Sequence, residues 1–489
     1  MIALARSGAR ECRARDRPED QPSARRELLV LLVASLILFS ANTFRPSLLS
    51  MDDAFYARIA VEAERSGRFF TMTWGGTPNF QKPSLQSWIV GRSFAMFGEN
   101  DFSARLPSIL MALGLLVVTY RIGVLVVGPR AGVTSVAALA ISPYFNDHAR
   151  RVMQEVPFGL WTALAILIFL ESRRRPRLML LFSLPLGAAI LTKSLLGLMP
   201  LLIVLACAIA VPALRVTLRN PWTWVGLVAG LALGATWTLY EAWTFGAAAF
   251  RDHYLGEVGP RAVTSASPLR FLLGYPWQLM DSYQPVIIPA VLGAIVLGRN
   301  RDARGDTGLA LVVWAFVPIV ALNVLHARTP RYIFPVFPAL ALLSGFWLER
   351  GAPAVAVVFR RWVAPALLVA AAVILWTAPS LLAPLLQSAV DQNRDIKASR
   401  DALKELIPAN QPVAFLGAQY WAKASPLLYY AERLLEFPAA TTAEAIERAR
   451  REPSRMLLCD RTKLREIDSR VTPYRIVFEA RQWVLLTLL

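Results

Sequence analysis

Long apolar stretches recur along most of this 489-residue chain, and they constrain its fold more than any other feature. A helix that spans a bilayer needs about 20 predominantly apolar residues. The clear candidates are Leu28–Phe44, Leu106–Val127, Leu195–Leu214, Trp222–Tyr240, Val286–Leu297, Leu309–Leu325, Ile333–Leu348 and Trp362–Leu386. Shorter candidates are Ala131–Phe145, Val156–Leu170 and Leu178–Leu191. The pattern predicts an all-α polytopic membrane protein with about eleven transmembrane helices.

The formal charge of +18 comes from cations that lie mostly at the ends of the predicted helices. Such a distribution indicates membrane topology, because arginine-rich short loops favour the cytoplasm, and it argues against nucleic acid as a partner. The first 27 residues contain seven arginines and form a predicted cytoplasmic tail. With that tail inside, every predicted inner loop is basic, so we expect an odd number of spans. The three cysteines are too few and too scattered for a disulfide framework or a zinc motif.

The first predicted outer loop, residues 45–105, is too long for a simple turn. Its segment Ala54–Gly67 has apolar residues at helical spacing, and Gly67 is suited to ending the helix. Aromatic residues follow at Trp74, Phe80 and Trp88, which favours a position at the membrane interface. We therefore expect amphipathic juxtamembrane helices in this loop.

The composition changes after Leu386, where the chain becomes charged and alternates between helical and strand-like patterns. We expect a small α/β domain over residues 391–489, outside the membrane, and a transmembrane domain over residues 28–386. Its predicted elements are a helix at Asp395–Leu406, a strand at Pro412–Leu416, a helix at Ala443–Arg451 capped by Thr442, and strands at Met456–Leu458 and Tyr474–Phe478.

Six cations lie near predicted outer membrane boundaries, where a topology signal does not place them. They are Lys82, Arg150, Arg151, Lys193, Arg328 and Arg331. Any one of them could be an interfacial side chain that extends to the headgroups. As a set they are better explained as a pocket for phosphate, because Arg makes bidentate contacts and Lys supplies a point charge.

Two adjacent carboxylates, Asp52 and Asp53, begin the predicted helix of the first outer loop. One of them could simply cap this helix. The other would be free to take a proton from an incoming hydroxyl, the usual work of a carboxylate base in group transfer. Further along the loop, Pro83 keeps Lys82 extended, which suits a contact with a lipid phosphate.

Two other segments carry chemistry at the same predicted side of the membrane. Glu155 directly precedes an apolar run, where it could cap a helix or act in the site. The segment from His326 to Tyr332 lies at an outer boundary and contains Arg328 and Arg331.

Several of these segments together resemble a known enzyme family. The run from Asp52 to Leu110 resembles the first periplasmic loop of bacterial C-type glycosyltransferases, which include aminoarabinose transferases and, more distantly, protein O-mannosyltransferases. The matching residues are Asp52-Asp53, Tyr56-Ala57, Lys82-Pro83, Phe97-Gly98-Glu99 and Arg105-Leu106-Pro107-Ser108. Later matches are Ala149-Arg150, Glu155-Val156-Pro157, Leu191-Thr192-Lys193-Ser194 and Pro330-Arg331-Tyr332-Ile333.

The resemblance implies an inverting transfer of a sugar from a polyprenyl-phosphate donor to a glycolipid or glycan acceptor, with the active site on the periplasmic face of the bacterial inner membrane. Carried over, Asp52 is the general base, and Asp53 and Glu155 assist it or orient the acceptor. The residues expected to hold the donor and its phosphate are Tyr56, Lys82, Arg150, Lys193, Arg328, Arg331 and Tyr332. The acceptor could be lipid A, lipopolysaccharide core, another envelope glycan or a protein.

Departures from the family pattern bear on the cofactor. Gln81 stands where the family often has Glu before the Lys-Pro pair, so the divalent metal found with some relatives is doubtful here. Two other classes stay open: a transporter or flippase of a lipid-linked glycan, and an inactive scaffold that binds the lipid. A flippase is expected to have repeated halves and polar residues at mid-membrane depth, and the sequence has no evident repeat.

Overall fold

A computed structural model of the chain describes residues 20–49, 52–247, 251, 274–277, 279–280, 282–283, 286–299, 307–324, 330–409, 411–417, 420–436, 439–480 and 483–489. Helices dominate this part of the chain. Most of the predicted N-terminal tail lies outside the described residues, as does most of the second predicted outer loop between Glu241 and Tyr283.

The α-helices before residue 386 are α1 (Asp20–Ser40), α2 (Asp52–Ser66), α3 (Leu85–Phe97), α4 (Asp101–Val126), α5 (Pro129–Ala140), α6 (Pro143–Ala149), α7 (Glu155–Ser172), α8 (Ser183–Lys193), α9 (Met199–Ala210), α10 (Pro221–Phe245), α11 (Ile287–Arg299), α12 (Leu309–Val324), α13 (Phe337–Gly351), α14 (Pro353–Val358) and α15 (Ala364–Thr377). Short 3₁₀ segments connect several of them, at Pro176–Phe182, Ser194–Leu198, Pro212–Arg219, Pro330–Val336, Pro379–Leu381 and Gln387–Ala389. A π-helical segment, Phe359–Val363, joins α14 to α15.

Six helical units of the described chain are long and apolar enough to cross a membrane: Asp101–Val126, Glu155–Ser172, Pro176–Ala210, Pro221–Phe245, Arg331–Gly351 and Pro353–Thr377. The shorter helices α11 and α12 are also apolar. The chain is thus a multi-pass membrane protein. Every predicted apolar stretch coincides with a helix of the structure, although some bounds differ.

The largest differences in bounds have local causes. Helix α1 begins at Asp20, eight residues before the predicted start, because charged residues can extend a spanning helix beyond the bilayer. The last predicted stretch continues to Leu386, but its helix ends at Thr377, since Pro379 disfavours a helical residue before it. A break at Ser194, whose φ is +51°, separates α8 from α9 within one continuous apolar unit.

Helices α8 and α10 pack closely because α10 presents a row of glycines to its neighbour. Gly226 faces the backbone of Met179, and Gly230 faces Leu186. A Cβ placed on Gly234 would lie 2.6 Å from the Cβ of Ile190. Small residues four apart allow two helix backbones to approach within a membrane. The register of these pairs makes the two helices parallel.

The first predicted outer loop contains α2, a short β-hairpin with two residues in each strand, and α3. Strands β1 (Thr73–Trp74) and β2 (Thr77–Pro78) pair antiparallel. The predicted helix at Ala54–Gly67 is confirmed, with Asp52 and Asp53 inside its first turn and Gly67 at a φ of +66° just after its end.

After residue 390 the chain forms α16 (Arg394–Ala398), α17 (Arg400–Leu406), β3 (Ala414–Leu416), α18 (Tyr420–Tyr430), α19 (Thr442–Arg451), β4 (Met456–Asp460), β5 (Tyr474–Glu479) and β6 (Trp483–Leu488). The strands form one sheet in the order β3-β4-β6-β5, with β3 parallel to β4 and the other pairs antiparallel. The predicted helix Asp395–Leu406 is two helices that meet at Ser399. Thr441, and not Thr442, caps α19 by accepting a hydrogen bond from the Glu444 amide. Helix α18 and strand β6 were not predicted.

The C-terminal residues share a hydrophobic core with the first outer loop. Side chains of α2 and α3 pack in one cluster with those of α16, α18 and the sheet. At its centre, the Tyr430 hydroxyl accepts a hydrogen bond from the Leu48 amide (2.6 Å) and donates one to Asp101 Oδ1 (2.9 Å). The change in composition at residue 386 is therefore not a boundary in packing.

Candidate active site

Four of the predicted site residues meet at one end of the helical bundle. The Arg331 guanidinium forms an ion pair with Asp52, and its Nε lies 3.8 Å from Glu155 Oε1. The Lys193 ammonium lies 2.7 Å from the same Glu155 oxygen. Two acids and two cations from four distant segments of the chain thus form one charged cluster, which we call the central cluster.

Helix ends position each member of the central cluster. Asp52 and Glu155 lie in the first turns of α2 and α7, where the helix dipole favours negative charge. Lys193 is the last residue of α8, where a cation is favoured. Arg331 lies in the 3₁₀ segment that leads into α13. Asp52, Glu155 and Lys193 therefore each lie where the dipole of their own helix stabilises the charge, whereas Arg331 precedes a helix start and is stabilised by the two acids instead.

Exposure divides the central cluster into a buried floor and an accessible entrance. The Glu155 side chain is 1% exposed, and the Lys193 side chain is 8% exposed. The side chains of Asp52 and Arg331 are 27% and 28% exposed. Asp52 is therefore the predicted acid that an incoming molecule can reach.

Two predicted tyrosines flank the cluster. The Lys193 ammonium lies 5.5 Å from the ring centroid of Tyr332, within the range of a cation–π contact. Tyr56, one turn after Asp52, donates a hydrogen bond from its hydroxyl to Gln154 Oε1 over 3.4 Å. Gln154 is the residue before Glu155, so this bond ties α2 to the start of α7.

Asp53 belongs to a second, buried network behind the central cluster. Its Oδ1 accepts a hydrogen bond from Arg151 Nε (3.2 Å), and Arg151 also contacts Asp147 (3.4 Å) and Gln387 (3.1 Å). Asp147 in turn accepts a bond from the Ser388 amide (2.7 Å). Burial raises the pKa of Asp53 by more than the Arg151 charge lowers it. A carboxyl group with no exposed surface is better suited to holding α2 in place than to meeting an acceptor.

Arg150 does not join either network, contrary to its predicted role at the phosphate. Its guanidinium is buried and donates to the carbonyl oxygens of Leu38 (2.5 Å) and Phe39 (3.2 Å). The last carbonyl groups of a helix lack partners within that helix, and Arg150 satisfies those of α1. Of the two neighbouring arginines, Arg151 is the one that contacts a predicted site residue.

The structure describes Lys82 but does not describe Arg328. Lys82 is partly buried and precedes α3, with Pro83 buried beside it. Arg328 lies outside the described residues. The roles of Lys82 and Arg328 at the donor phosphate stay predictions.

Sequence reasoning missed the positions of two buried charges near the site. Arg105 donates to the carbonyl oxygens of Thr43, Pro46 and Ser47, which fixes the segment that leads to Asp52. Glu241, near the C-terminal end of α10, is buried, and among the described residues neither of its carboxylate oxygens has a hydrogen-bond partner. A single acid within an apolar stretch was the signal that could have identified it.

In the part of the chain that the structure describes, no group of three or more His, Cys, Asp and Glu side chains is arranged to hold a metal ion. The central cluster instead supplies two cations beside two carboxylates. Cations held in this way can bind a phosphate group and stabilise negative charge that develops on it.

Comparisons with known proteins show which sequences and folds the chain is similar to. Residues 81–240 match the sequence model of the family described as dolichyl-phosphate-mannose-protein mannosyltransferase. An undecaprenyl phosphate-alpha-4-amino-4-deoxy-L-arabinose arabinosyl transferase of Pseudomonas savastanoi is 26% identical over 341 residues, which cover 65% of this chain and 60% of that protein. A similarly named transferase of Pseudomonas fluorescens is also 26% identical, over 65% of this chain and 59% of the relative.

The fold has a close counterpart among solved structures. The crystal structure of ArnT from Cupriavidus metallidurans bound to undecaprenyl phosphate superimposes with a TM-score of 0.73 and 18% identity, over 94% of this chain and 97% of that one. The chain is similar in sequence to these aminoarabinose transferases and, over residues 81–240, to the protein mannosyltransferase family model, and it shares the fold of ArnT. The structural likeness extends, more weakly, to the oligosaccharyltransferase of Archaeoglobus fulgidus, with a TM-score of 0.56 and 15% identity over 88% of this chain and 68% of that chain. This chain matches about 60% of the length of the two named curated relatives.

Proposed function

We propose that this protein is an inverting glycosyltransferase that moves a sugar from a polyprenyl-phosphate donor to an acceptor of the cell envelope. The acceptor class is lipid A, lipopolysaccharide core or another envelope glycan. The observation that carries this proposal is the central cluster, in which an accessible carboxylate, Asp52, is paired with an arginine that can bind phosphate. The likeness to named aminoarabinose transferases and the undecaprenyl phosphate bound to ArnT support the choice of donor.

In the proposed reaction, Asp52 takes the proton from an acceptor hydroxyl. The hydroxyl oxygen forms a bond to the anomeric carbon of the sugar as the bond from that carbon to the phosphate oxygen breaks. The phosphodiester monoanion becomes a phosphomonoester dianion on the polyprenyl lipid. Arg331, Lys193 and Lys82 stabilise this additional negative charge.

Binding of the donor would also prepare the base. Before the donor arrives, Arg331 contacts both Asp52 and Glu155. A phosphate group competes with these carboxylates for the guanidinium, because Arg binds phosphate in a bidentate manner. Glu155, in the buried part of the cluster, keeps Lys193 and Arg331 in position. Asp52 loses its ion pair with Arg331 and is then free to accept a proton.

The test is transfer by the purified full-length protein in nanodiscs, with radiolabelled undecaprenyl-phosphate sugars and envelope glycolipids as acceptors. We expect Asp52→Asn to lose transfer by about 10²–10³-fold or more while still binding undecaprenyl phosphate. Asp401→Asn is the matched control, because it makes the same change at a side chain that is 81% exposed. Full transfer by Asp52→Asn would refute the assignment of the base. Translocation of the lipid without transfer would identify a flippase instead.

Envelope analysis would name the sugar and the acceptor. Mass spectrometry of glycolipids from cells that lack this protein should show the loss of one defined sugar residue. An unchanged glycolipid profile together with altered glycoproteins would favour activity of the protein O-mannosyltransferase type.

We also propose a topology for this enzyme in the bacterial inner membrane. Eleven spans would be formed by α1, α4, α5, α7, α8, α9, α10, α11, α12, α13 and the α14–α15 unit. The tail of residues 1–27 is cytoplasmic in this proposal. The loop of residues 45–105 and an α/β domain of residues 391–489 are periplasmic, and residues 28–386 form the transferase domain. Basic inner loops support this orientation.

Cysteine labelling in intact cells tests the orientation. In a chain with its three native cysteines changed to serine, we expect Asp401→Cys to react with an impermeant maleimide and Arg174→Cys to react only after lysis. Both positions are exposed. Labelling of both from the same side would refute this topology.

A further inference from the structure

A second cluster of charge lies at the end of the bundle away from the central cluster. A cavity of 210 Å³ opens there between the start of α5, the end of α13 and the α14–α15 unit. Four arginines line it: Arg130, Arg350, Arg360 and Arg361. Glu349 is its acidic lining residue. We call this cavity the arginine pocket.

Buried ion pairs hold the arginine pocket in shape. Arg360 is 3% exposed and contacts both Glu349 and Glu27, the latter with Nε at 2.6 Å. Arg361 contacts the other oxygen of Glu27 at 2.6 Å, and Thr134 donates a hydrogen bond to Glu349. Four guanidinium groups and two carboxylates give the pocket and its ion-pair partners a formal charge of +2.

The π-helical segment Phe359–Val363 brings two consecutive arginines to one carboxylate. Consecutive residues of a regular α-helix point about 100° apart, and a π-helical turn changes this geometry locally. Trp362, within the same segment, is 72% exposed, and Val355 and Val358 are also exposed. In a membrane protein such side chains face lipid, and Trp favours the interface. The arginine pocket therefore opens beside a lipid-facing surface.

The position along α13 shows which leaflet the pocket faces. Arg331 of the central cluster and Glu349 of the pocket lie near the two ends of the unit Arg331–Gly351. At about 1.5 Å per residue they are separated by roughly 27 Å, close to the thickness of the hydrocarbon core. The arginine pocket thus lies at the opposite membrane surface from the proposed catalytic site.

We propose that the arginine pocket binds the phosphodiester headgroup of an anionic phospholipid from the leaflet opposite the catalytic site. Arg350, whose guanidinium lies 4.0 Å from the centroid of the Phe346 ring, and Arg361 line the cavity and supply contacts to phosphate oxygens. Basic loop residues alone would satisfy the topology rule. The topology rule does not require a cavity, or a buried arginine that contacts two acids. These two features are instead expected of a site that binds a specific headgroup.

The experiment uses purified, delipidated full-length protein in detergent. Thermal unfolding and native mass spectrometry would follow titration with phosphatidylglycerol, with phosphatidylcholine as a net-neutral lipid, and with sn-glycerol 3-phosphate as a soluble phosphate. Arg350→Gln and Arg361→Gln, singly and together, remove pocket charge but keep the buried Arg360. The matched control is Arg174→Gln with Arg175→Gln, which removes two exposed charges outside the pocket.

We expect phosphatidylglycerol to bind and to raise the unfolding temperature of the wild type and of the control. The double pocket variant should bind phosphatidylglycerol roughly thirtyfold more weakly. Each cation contributes about 1 kcal/mol to lipid binding, and each 1.4 kcal/mol corresponds to about a tenfold change in affinity. Equal binding by the pocket variant and the control would overturn the proposal, as would equal binding of phosphatidylcholine. The same response to glycerol phosphate would show a site for free phosphate and would also overturn the lipid assignment. Mass spectrometry counts bound lipid even where a variant is less stable.

Discussion

Asp52 and Asp53 are neighbours in the sequence but have different environments. Asp52 lies at the entrance with Arg331, whereas Asp53 is fully buried against Arg151. Successive residues of a helix point about 100° apart, so one adjacent pair can serve two purposes. The sequence could indicate that two acids begin a helix. It could not assign their roles, because those depend on Arg151 and Arg331, which are distant in the chain.

The buried state of Asp53 makes the stability of the fold depend on pH. Burial raises the pKa of Asp53 above its ordinary value of 3.8, so the folded chain holds this proton more tightly than the unfolded chain does. The stabilisation is complete below the unfolded pKa and is lost as pH rises through the folded pKa. Relative to Asp53→Asn, whose amide does not titrate, we expect the wild type to lose stability as the pH is raised above 3.8.

Thermal unfolding of both proteins in detergent as the pH is raised would measure the difference. Asp401→Asn serves as the control, since that side chain is exposed. A constant difference between wild type and Asp53→Asn, or one that grows in favour of the wild type, would contradict this prediction.

Lys193 and Glu155 form a buried ion pair, and we expect a large cost when one partner is removed. Lys193→Met leaves Glu155 with only the longer contact to Arg331, and it should lower the free energy of unfolding by about 3 kcal/mol. Adding Glu155→Gln should recover part of this loss, because the unpaired charge is removed. Denaturant titrations of the two single variants and the double variant measure the coupling. Lys463→Met breaks an exposed pair with Glu466 and should cost less than about 1 kcal/mol. A fully additive double variant would show that the pair does not interact.

At the scale of elements, the packing of α8 against α10 places Lys193 in the central cluster. The glycines at 226, 230 and 234 permit this close contact. Hydropathy predicted both helices, since it is a local property. Hydropathy did not predict which helices touch. The row of glycines indicates that α10 has a face for close contact, but it does not show which helix packs there. The same limit explains why α18 and β6 were missed: each is stabilised by the shared core with distant residues.

A bulky side chain in this interface should separate the two helices. In Gly226→Leu the new side chain would meet the backbone of Met179, in the 3₁₀ segment that leads into α8. This segment must move, and α8 with Lys193 at its end is displaced with it. We expect both the unfolding temperature and the transfer rate to fall. Ala229→Leu is the control, because it places the same side chain on an exposed face of α10. Equal behaviour of the two variants would show that the close contact is not required.

At the scale of the whole molecule, the C-terminal residues complete the proposed catalytic loop. Tyr430 connects α18 to the Leu48 amide and to Asp101, on either side of the first outer loop. The predicted division at residues 386–391 followed composition, and composition cannot show that two regions share one core. The sequence did identify most of the helices, the first helix of this loop and the residues of the central cluster.

Two neighbouring tyrosines allow a sharp test of this connection. Tyr430→Phe removes two hydrogen bonds and leaves a buried amide unpaired, which should cost about 1–3 kcal/mol in stability. Tyr429→Phe should cost much less, since among the described residues the Tyr429 hydroxyl has no hydrogen-bond partner. Thermal unfolding and transfer assays on both variants make the comparison. An equal loss in the two would mean that the Tyr430 bonds contribute little.

The core shared by the first outer loop and the C-terminal residues also has a consequence for biosynthesis. The ribosome makes the segment around Asp52 early, yet its packing partners, from Ile396 to Leu485, are made much later. Until then the apolar side chains of this loop stay uncovered. Chains that stall before Ile396 would therefore be inserted into the membrane but incompletely folded, and open to quality-control proteases.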